Sequence, residues 1–251
     1  SARVYGFSQQ TNLWEQVGQT ILGSGVNTQA HLIAGKKDTL KINAEGDVLA
    51  VAYTQQNTGY DPRVILYQKQ EVSANSYEWS SMGQAITGSG SFGSKIDINA
   101  SGNRVVVSSE DYRINNLNNI QNTFNSGDSK ISVFDYNESL NSWDKTFNDI
   151  YETGSSIGSS VSLNKDGSVL AIGSRSFSSG NKNHIGKVDV YDISQNPLKI
   201  GNTLTGLLEN EQFGYNVKIN NDGDILTVAS PMFGNEINVL AANGGAGAVR
   251  V

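Results

Sequence analysis

The chain has 251 residues, 27 of them glycine and 3 proline, no cysteine, and a formal net charge of −6. Without cysteine there can be no disulfide or thiolate metal centre, and the negative balance argues against a partner presenting a phosphate backbone. No apolar run approaches the roughly 20 residues of a membrane-spanning helix, and the β-branched and aromatic residues cluster between Gly, Asn and Ser, the pattern of short strands joined by tight turns.

Ser1-Ala2-Arg3-Val4 has neither a Met nor an apolar signal core, and reads as a trimmed start without targeting information. Arg3-Val4-Tyr5 is predicted to be a strand, and another begins at Trp14. Next comes Leu40-Lys41-Ile42-Asn43-Ala44-Glu45-Gly46-Asp47-Val48-Leu49-Ala50-Val51-Ala52. Alternation before Asn43 marks a half-buried strand, and the dense apolar run after Gly46 marks a more buried one. Asn-x-x-Gly between them supplies a side chain that tolerates the left-handed region and a glycine for positive φ. Arg63-Val64-Ile65-Leu66-Tyr67 forms a third strand, and Trp79 opens a fourth. We name the four A to D, starting from the hairpin.

The phrase returns at residues 96–108, 161–173 and 217–229, so that Gly46, Gly102, Gly167 and Gly223 lie 56, 65 and 56 residues apart. Strand C follows as Lys130–Phe134, Lys187–Tyr191 and Ala248–Val251, and strand D begins at Trp143 and at Pro197. Gly18, Gly83 and Gly201 stand four residues after Trp14, Trp79 and Pro197, while Phe147 takes that place after Trp143. Recurrence of the tryptophans at one repeat position predicts that they pack blades together.

Four short strands in each repeat of about 55–65 residues are the signature of propeller blades. The prediction is an all-β, single-domain β-propeller of about four blades, each four-stranded and antiparallel, with helix nearly absent. Its repeats run roughly 1–62, 63–129, 130–185 and 186–251. The chain enters and leaves at strand C, so N-terminal strands C and D are expected to complete a blade whose A and B come from the C-terminal part, closing the ring and removing free edges. Strand C occurs five times and strand A four times. That leaves two arrangements open, a redundant copy or a segment of a larger ring.

These repeats resemble the FG-GAP family, the units of integrin-α-type propellers and of many surface proteins. Phe92-Gly93 and Phe213-Gly214 stand where that family has Phe-Gly, with Ile157-Gly158 and Ala34-Gly35 as variants. Ala229-Ser230-Pro231 stands where it has Gly-Ala-Pro. The resemblance is to the branch without calcium, and it implies recognition or scaffolding on an exposed surface. The hairpin turns are too short and too poor in carboxylates for a calcium loop, so no cofactor or metal is expected, and weak calcium binding is an alternative that is not expected either.

Catalysis is not expected. Glu110 and Asp111 are adjacent loop acids rather than a glycosidase pair, the hairpin turns lack the Ser of a sialidase Asp-box, and His31 and His184 stand in no motif. A meander sends the B–C and D–A loops to one face and the A–B turns to the other. The long joins, around 24–35 and 109–129, both fall on the first face. Tyr53, Tyr60, Tyr112, Arg113, Phe124, Arg175, Phe177 and Phe233 lie in this set of loops and are the candidate ligand-binding residues. Each could instead cap a strand end or pack beneath its own loop. The expected role is a non-catalytic binding or adhesion module on an extracellular, cell or virion surface. Its partner would be a protein or glycan, not nucleic acid, and it would not insert into a membrane. A structural spacer or decoration domain contacting neighbouring subunits of an assembly is the alternative, and a propeller glycosidase or lyase ranks last.

Overall fold

The computed structural model describes residues 1–22, 38–53, 62–89, 91–109, 129–151, 157–234 and 247–251. Within them the regular elements are all strands, paired antiparallel. β1 (Tyr5–Ser8) and β2 (Leu13–Gln16) form a first, two-stranded sheet. β3 (Leu40–Ile42), β4 (Val48–Tyr53), β5 (Arg63–Ser73) and β6 (Ser76–Ser81) follow as a meander, with β7 (Ile86–Thr87) folded back on β5. The third sheet repeats this with β8 (Phe92–Ile98), β9 (Arg104–Ser109), β10 (Lys130–Asn137), β11 (Ser142–Lys145) and the returning β12 (Ile150–Tyr151). The fourth is β13 (Ser160–Leu163), β14 (Val169–Ser174), β15 (Lys187–Asp192) and β16 (Leu198–Thr205). The fifth holds β17 (Asn216–Ile219), β18 (Leu226–Ser230) and β19 (Ala248–Arg250).

Each Asn-x-x-Gly phrase folds into the expected hairpin, but its asparagine works by a different route. Asn43, Asn99, Asn164 and Asn220 do not adopt positive φ, which falls to the glycines. Their Oδ1 atoms instead accept the backbone N–H of the first strand-B residues, Val48 (2.9 Å), Arg104 (3.0 Å), Val169 (2.9 Å) and Ile225 (3.0 Å). The amide thus ties the turn across its base, the local side-chain bonding that Asn offers a tight turn.

Alternate residues of strand B face opposite neighbours. Val48, Ala50 and Ala52 pack with Ile96, Ile98 and Val107 of the next sheet, while Leu49 and Val51 pack with Ala2, Ile21 and Trp79 on the other side. The third and fourth sheets meet through Val106, Ile131 and Val133 against Val161, Leu163 and Leu170. The fourth and fifth meet through Ala171 and Val188 against Val217, Ile219 and Val228. The core is therefore a series of inter-sheet layers, and period-two alternation builds it.

Three devices fasten the layers. At the Phe-Gly positions, Phe92, Ile157 and Phe213 are buried, and the following glycines have φ of +82°, +90° and +83°. A Cβ on Gly158 would stand 2.3 Å from Ser108 Oγ, and one on Gly214 would stand 2.5 Å from the Lys187 carbonyl. Only glycine supplies both the conformation and the clearance.

The second device is a tryptophan latch. Trp79 and Trp143 are each 3% exposed. Their Nε1–H groups donate to the carbonyls of Val17 (2.9 Å) and Met82 (2.7 Å) in the preceding repeat. Gln19 and Gln84 hold the tryptophan backbones, accepting from the N–H groups at 2.9 Å and donating to the carbonyls at 2.8 and 3.0 Å. Packing is thus the role of these two. Trp14, at the same repeat position, is 69% exposed.

The third is the Arg104 clamp between the third and fourth sheets. Its guanidinium binds Asp135 bidentately at 2.6 and 2.7 Å, and Nη1 donates to the carbonyls of Gly167 (2.9 Å) and Ile193 (3.1 Å).

The ends differ from the expectation of a shared terminal blade. Ser230, Ala229 and Val228 pair with Ala248, Val249 and Arg250, so the fifth sheet takes its strand C from the C-terminal segment. The N-terminal strands pair only with each other as a separate sheet among the described residues. Among the described residues, the excess of strand C over strand A corresponds to three complete meanders flanked by two partial ones.

Candidate functional site

The two ends of the strands have different chemistry. At one end the A–B turns join from sheet to sheet. The Ala44 N–H donates to Ala100 O (3.2 Å), Ala100 N–H to Lys165 O (2.9 Å), and Lys165 N–H to Asn221 O (3.1 Å). Turn side chains bond among themselves: Asn43 and Asn220 donate Nδ2–H to Asp47 Oδ1 (2.7 Å) and Asp224 Oδ1 (2.8 Å). This face is a belt of short turns.

The other end carries the B–C and D–A joins. Tyr60, Tyr112, Arg113 and Phe124 lie outside the described residues, as do most of the two long joins. Tyr53 is buried at the end of β4, in the layer with Leu49, Val51 and Trp79. Its hydroxyl meets that of Tyr67 at 2.8 Å, and the Arg63 guanidinium lies 5.8 Å from its ring centroid. Burial, then the Tyr67 hydrogen bond, pushes the Tyr53 phenol well above the usual range. Tyr53 supports the face from beneath.

Arg175 and Phe177 follow β14 and Phe233 follows β18, and all three are half-buried. The Arg175 guanidinium lies over Tyr215 (5.4 Å), and the buried Lys187 ammonium over Phe177 (4.8 Å). Arg250 is bracketed by Phe213 (5.2 Å) and Phe233 (5.0 Å). Beneath it the fully buried Glu211 receives Arg250 Nη2 (2.8 Å), Ser230 Oγ (3.0 Å) and the backbone N–H groups of Leu207 (2.6 Å) and Leu208 (3.0 Å). A buried carboxylate is tolerated when its lone pairs are met in this way. Desolvated cations over rings are held more firmly than exposed ones. Cations thus lie over rings at three places, Arg175 on Tyr215, Lys187 on Phe177, and Arg250 on Phe213 and Phe233. Lys187, Phe213, Tyr215, Glu211 and Arg250 were missed as site residues. Alignment of Arg250 with Arg3 and the Phe-Gly at Phe213 were the available signals.

Lys41, Asp97, Ser162 and Lys218 occupy one repeat position on the first strands of successive sheets. Asp97 accepts the Leu163 N–H (2.9 Å) and stands 3.5 Å from Lys41 Nζ and 3.8 Å from Lys218 Nζ. Lys41 also meets Asp38 at 3.3 Å. This inner row sets one carboxylate between two lysines. Among the described residues no group of three His, Cys, Asp or Glu side chains is placed to hold a metal ion.

No family model and no curated protein matches the chain. Solved structures do. A protein described as a 6-phosphogluconolactonase from Bacteroides uniformis aligns with a TM-score of 0.51 and 13% identity, over 91% of this chain and 57% of its own. A protein of the same description from Bacteroides fragilis aligns at 0.49 and 13%, over 91% and 57%. The structure of TolB from Agrobacterium tumefaciens aligns at 0.39 and 12%, over 78% and 55%. The chain thus spans little more than half the length of these neighbours. At such identities the likeness concerns the fold alone. Together with the repeated antiparallel sheets, the likeness to the Bacteroides uniformis structure makes this chain an all-β protein of propeller type.

Proposed function

We propose that the chain is a non-catalytic binding or adhesion module that recognises a protein or glycan through the B–C and D–A loop face. In this reading it has FG-GAP character, a unit of about four blades, and a place on an extracellular, cell or virion surface. The observation that carries the reading is the contrast between the two faces. One is fastened turn to turn, while the other carries cation–ring pairs, Arg175 on Tyr215, Lys187 on Phe177 and Arg250 on Phe233. The buried Phe-Gly and Ile-Gly junctions support the FG-GAP character. For blade count, three meanders are complete, and the partial end sheets together hold the strands of a fourth.

The test is binding to a panel of immobilised neutral and anionic glycans and of surface-protein ectodomains. Arg175→Ala with Phe233→Ala should remove any binding, and Glu45→Ala in an A–B turn should leave it intact. Binding that tracks the A–B turns instead would defeat the reading. A second reading, a structural unit of a larger assembly, is favoured by the exposed Trp14 at the N-terminal end of the sheet row.

A further inference from the structure

The first strands of the second to fifth sheets, β3, β8, β13 and β17, are stitched to one another in series. Between the second and third sheets, Ile96 N–H donates to the Asp38 carbonyl (2.9 Å). Between the third and fourth, Leu163 N–H donates to Asp97 Oδ2 (2.9 Å), and between the fourth and fifth, Ile219 N–H donates to Ser162 Oγ (3.3 Å). Asp97 and Ser162 hold one repeat position, and each accepts from the residue just past that position in the next sheet. Lys41 and Lys218 hold the same position in the second and fifth sheets. An ammonium donates and cannot accept, so neither lysine can make this stitch. Both reach the Asp97 carboxylate instead, Lys41 Nζ to Oδ1 at 3.5 Å and Lys218 Nζ to Oδ2 at 3.8 Å.

The Lys218 contact constrains the shape of the sheet row. Sheets stack about 10 Å apart, so β8 and β17, two junctions apart, would stand about 20 Å apart in a flat stack. One lysine and one aspartate side chain cannot span that distance with a gap of 3.8 Å. The row therefore curves, and the curve carries β17 back toward β8. The carboxylate at the meeting point is buried, and a buried charge needs such partners. Apolar layers join the second sheet to the third, the third to the fourth and the fourth to the fifth. Among the described residues no such layer joins the third to the fifth, and the ion pair is what links them.

We propose that Asp97 is the hub of an ionic plug on the axis of the sheet row, and that its pairing with Lys218 sets the curvature of the row. Lys41 has a lesser part, because Val48, Ala50 and Ala52 already pack the second sheet against Ile96 and Ile98 of the third. Curvature decides how far apart the loops of the second and fifth sheets stand, so Asp97 acts on the B–C and D–A face without lying on it. The device uses neither Arg175 nor Phe233, and it does not rest on the binding reading.

With no cysteine in the sequence, the curvature can be measured by paired spin labels. Glu45→Cys and Asp222→Cys, both exposed in the A–B turns of the second and fifth sheets, would carry nitroxides, and pulsed dipolar spectroscopy would read the distance between them. The labelled chain without further change should give one narrow distance. Lys218→Met should lengthen and broaden it by a sizeable part of the about 10 Å sheet spacing. Asp97→Asn, which keeps an acceptor for the Leu163 N–H, should do the same, and Lys41→Met should leave the distance as it was. Lys218 is exposed, its side chain at 60%, so Lys218→Met carries the test should Asp97→Asn fail to fold. Three results would overturn the proposal. One is a broad distance before any plug residue is changed. Another is a distance that stays fixed in Lys218→Met while the denaturation midpoint falls, the mark of an ion pair that stabilises without shaping. The third is an equal change in Lys41→Met, which would take the role away from Lys218.

Discussion

The junction between the second and third sheets and the junction between the third and fourth solve one problem with opposite chemistry. The first seats Trp143 over Gly83 and satisfies its N–H with the Met82 carbonyl. At the second both halves of that latch are gone, because Phe147 replaces the glycine and Pro197 the tryptophan. There Arg104 crosses from Asp135 to two carbonyls of the next sheet. Val48, Val169 and Ile225 hold the Arg104 position elsewhere, so the charge appears at one junction without the latch, while the fourth and fifth sheets, also without it among the described residues, meet at Val169 instead. A repeat fold can thus exchange an aromatic fastener for an ionic one without altering the strands it fastens.

The largest effect should come from breaking the aromatic fastener. Trp143→Ala removes a fully packed ring and is expected to destabilise by about 3–5 kcal/mol in denaturant unfolding. Breaking the ionic one should cost less, because Asp135 retains water. Arg104→Met should lose about 1.5–3 kcal/mol, the range for charged hydrogen bonds, and an equal loss in both variants would undo the contrast.

Acid should act on a third class of contact. Burial alone would raise Asp149 and Asp189. Lys145, Ser132 and Lys130 around Asp149, and Lys199, Thr203 and Lys187 around Asp189, hold both carboxyls below the ordinary value instead. A depressed carboxyl adds stability above its unfolded pKa, and that stability is lost as pH falls through the folded value. The decline should therefore appear below about pH 4. Asp189→Asn should flatten it. The smallest effect belongs to Trp14→Ala, which should shift single-chain stability by within about 0.5 kcal/mol, as exposed positions do. A loss near that of Trp143→Ala would mean that Trp14 is packed in solution.

Hairpins, strand order and the tryptophan role were legible because each is written within a dozen residues. Asn-x-x-Gly carries its own turn, and Trp79 marks its strand wherever the neighbour stands. β7 and β12, two residues each, were not legible, since pairing back on strand C is imposed by the sheet rather than by pattern. How the terminal strands share a blade was not legible for a related reason. Whether Ala248–Arg250 or Arg3–Tyr5 pairs with β18 depends on the angle accumulated over every junction, which no single motif encodes. The placement of Arg175, Phe177 and Phe233 in B–C joins was legible from strand order. Glu211 and Lys187 were not, because a buried charge is recognised only once its partners, Arg250 and Asp189, are known.

The belt of A–B turns has a consequence for how the molecule exchanges protons with water. The amides of Ala44, Ala100 and Lys165 each bond across one junction, and each can exchange only when its own pair of sheets parts. Deuterium uptake at these three positions would read the opening of three successive junctions one by one, so the aromatic and the ionic fastener could be timed within a single unmodified chain.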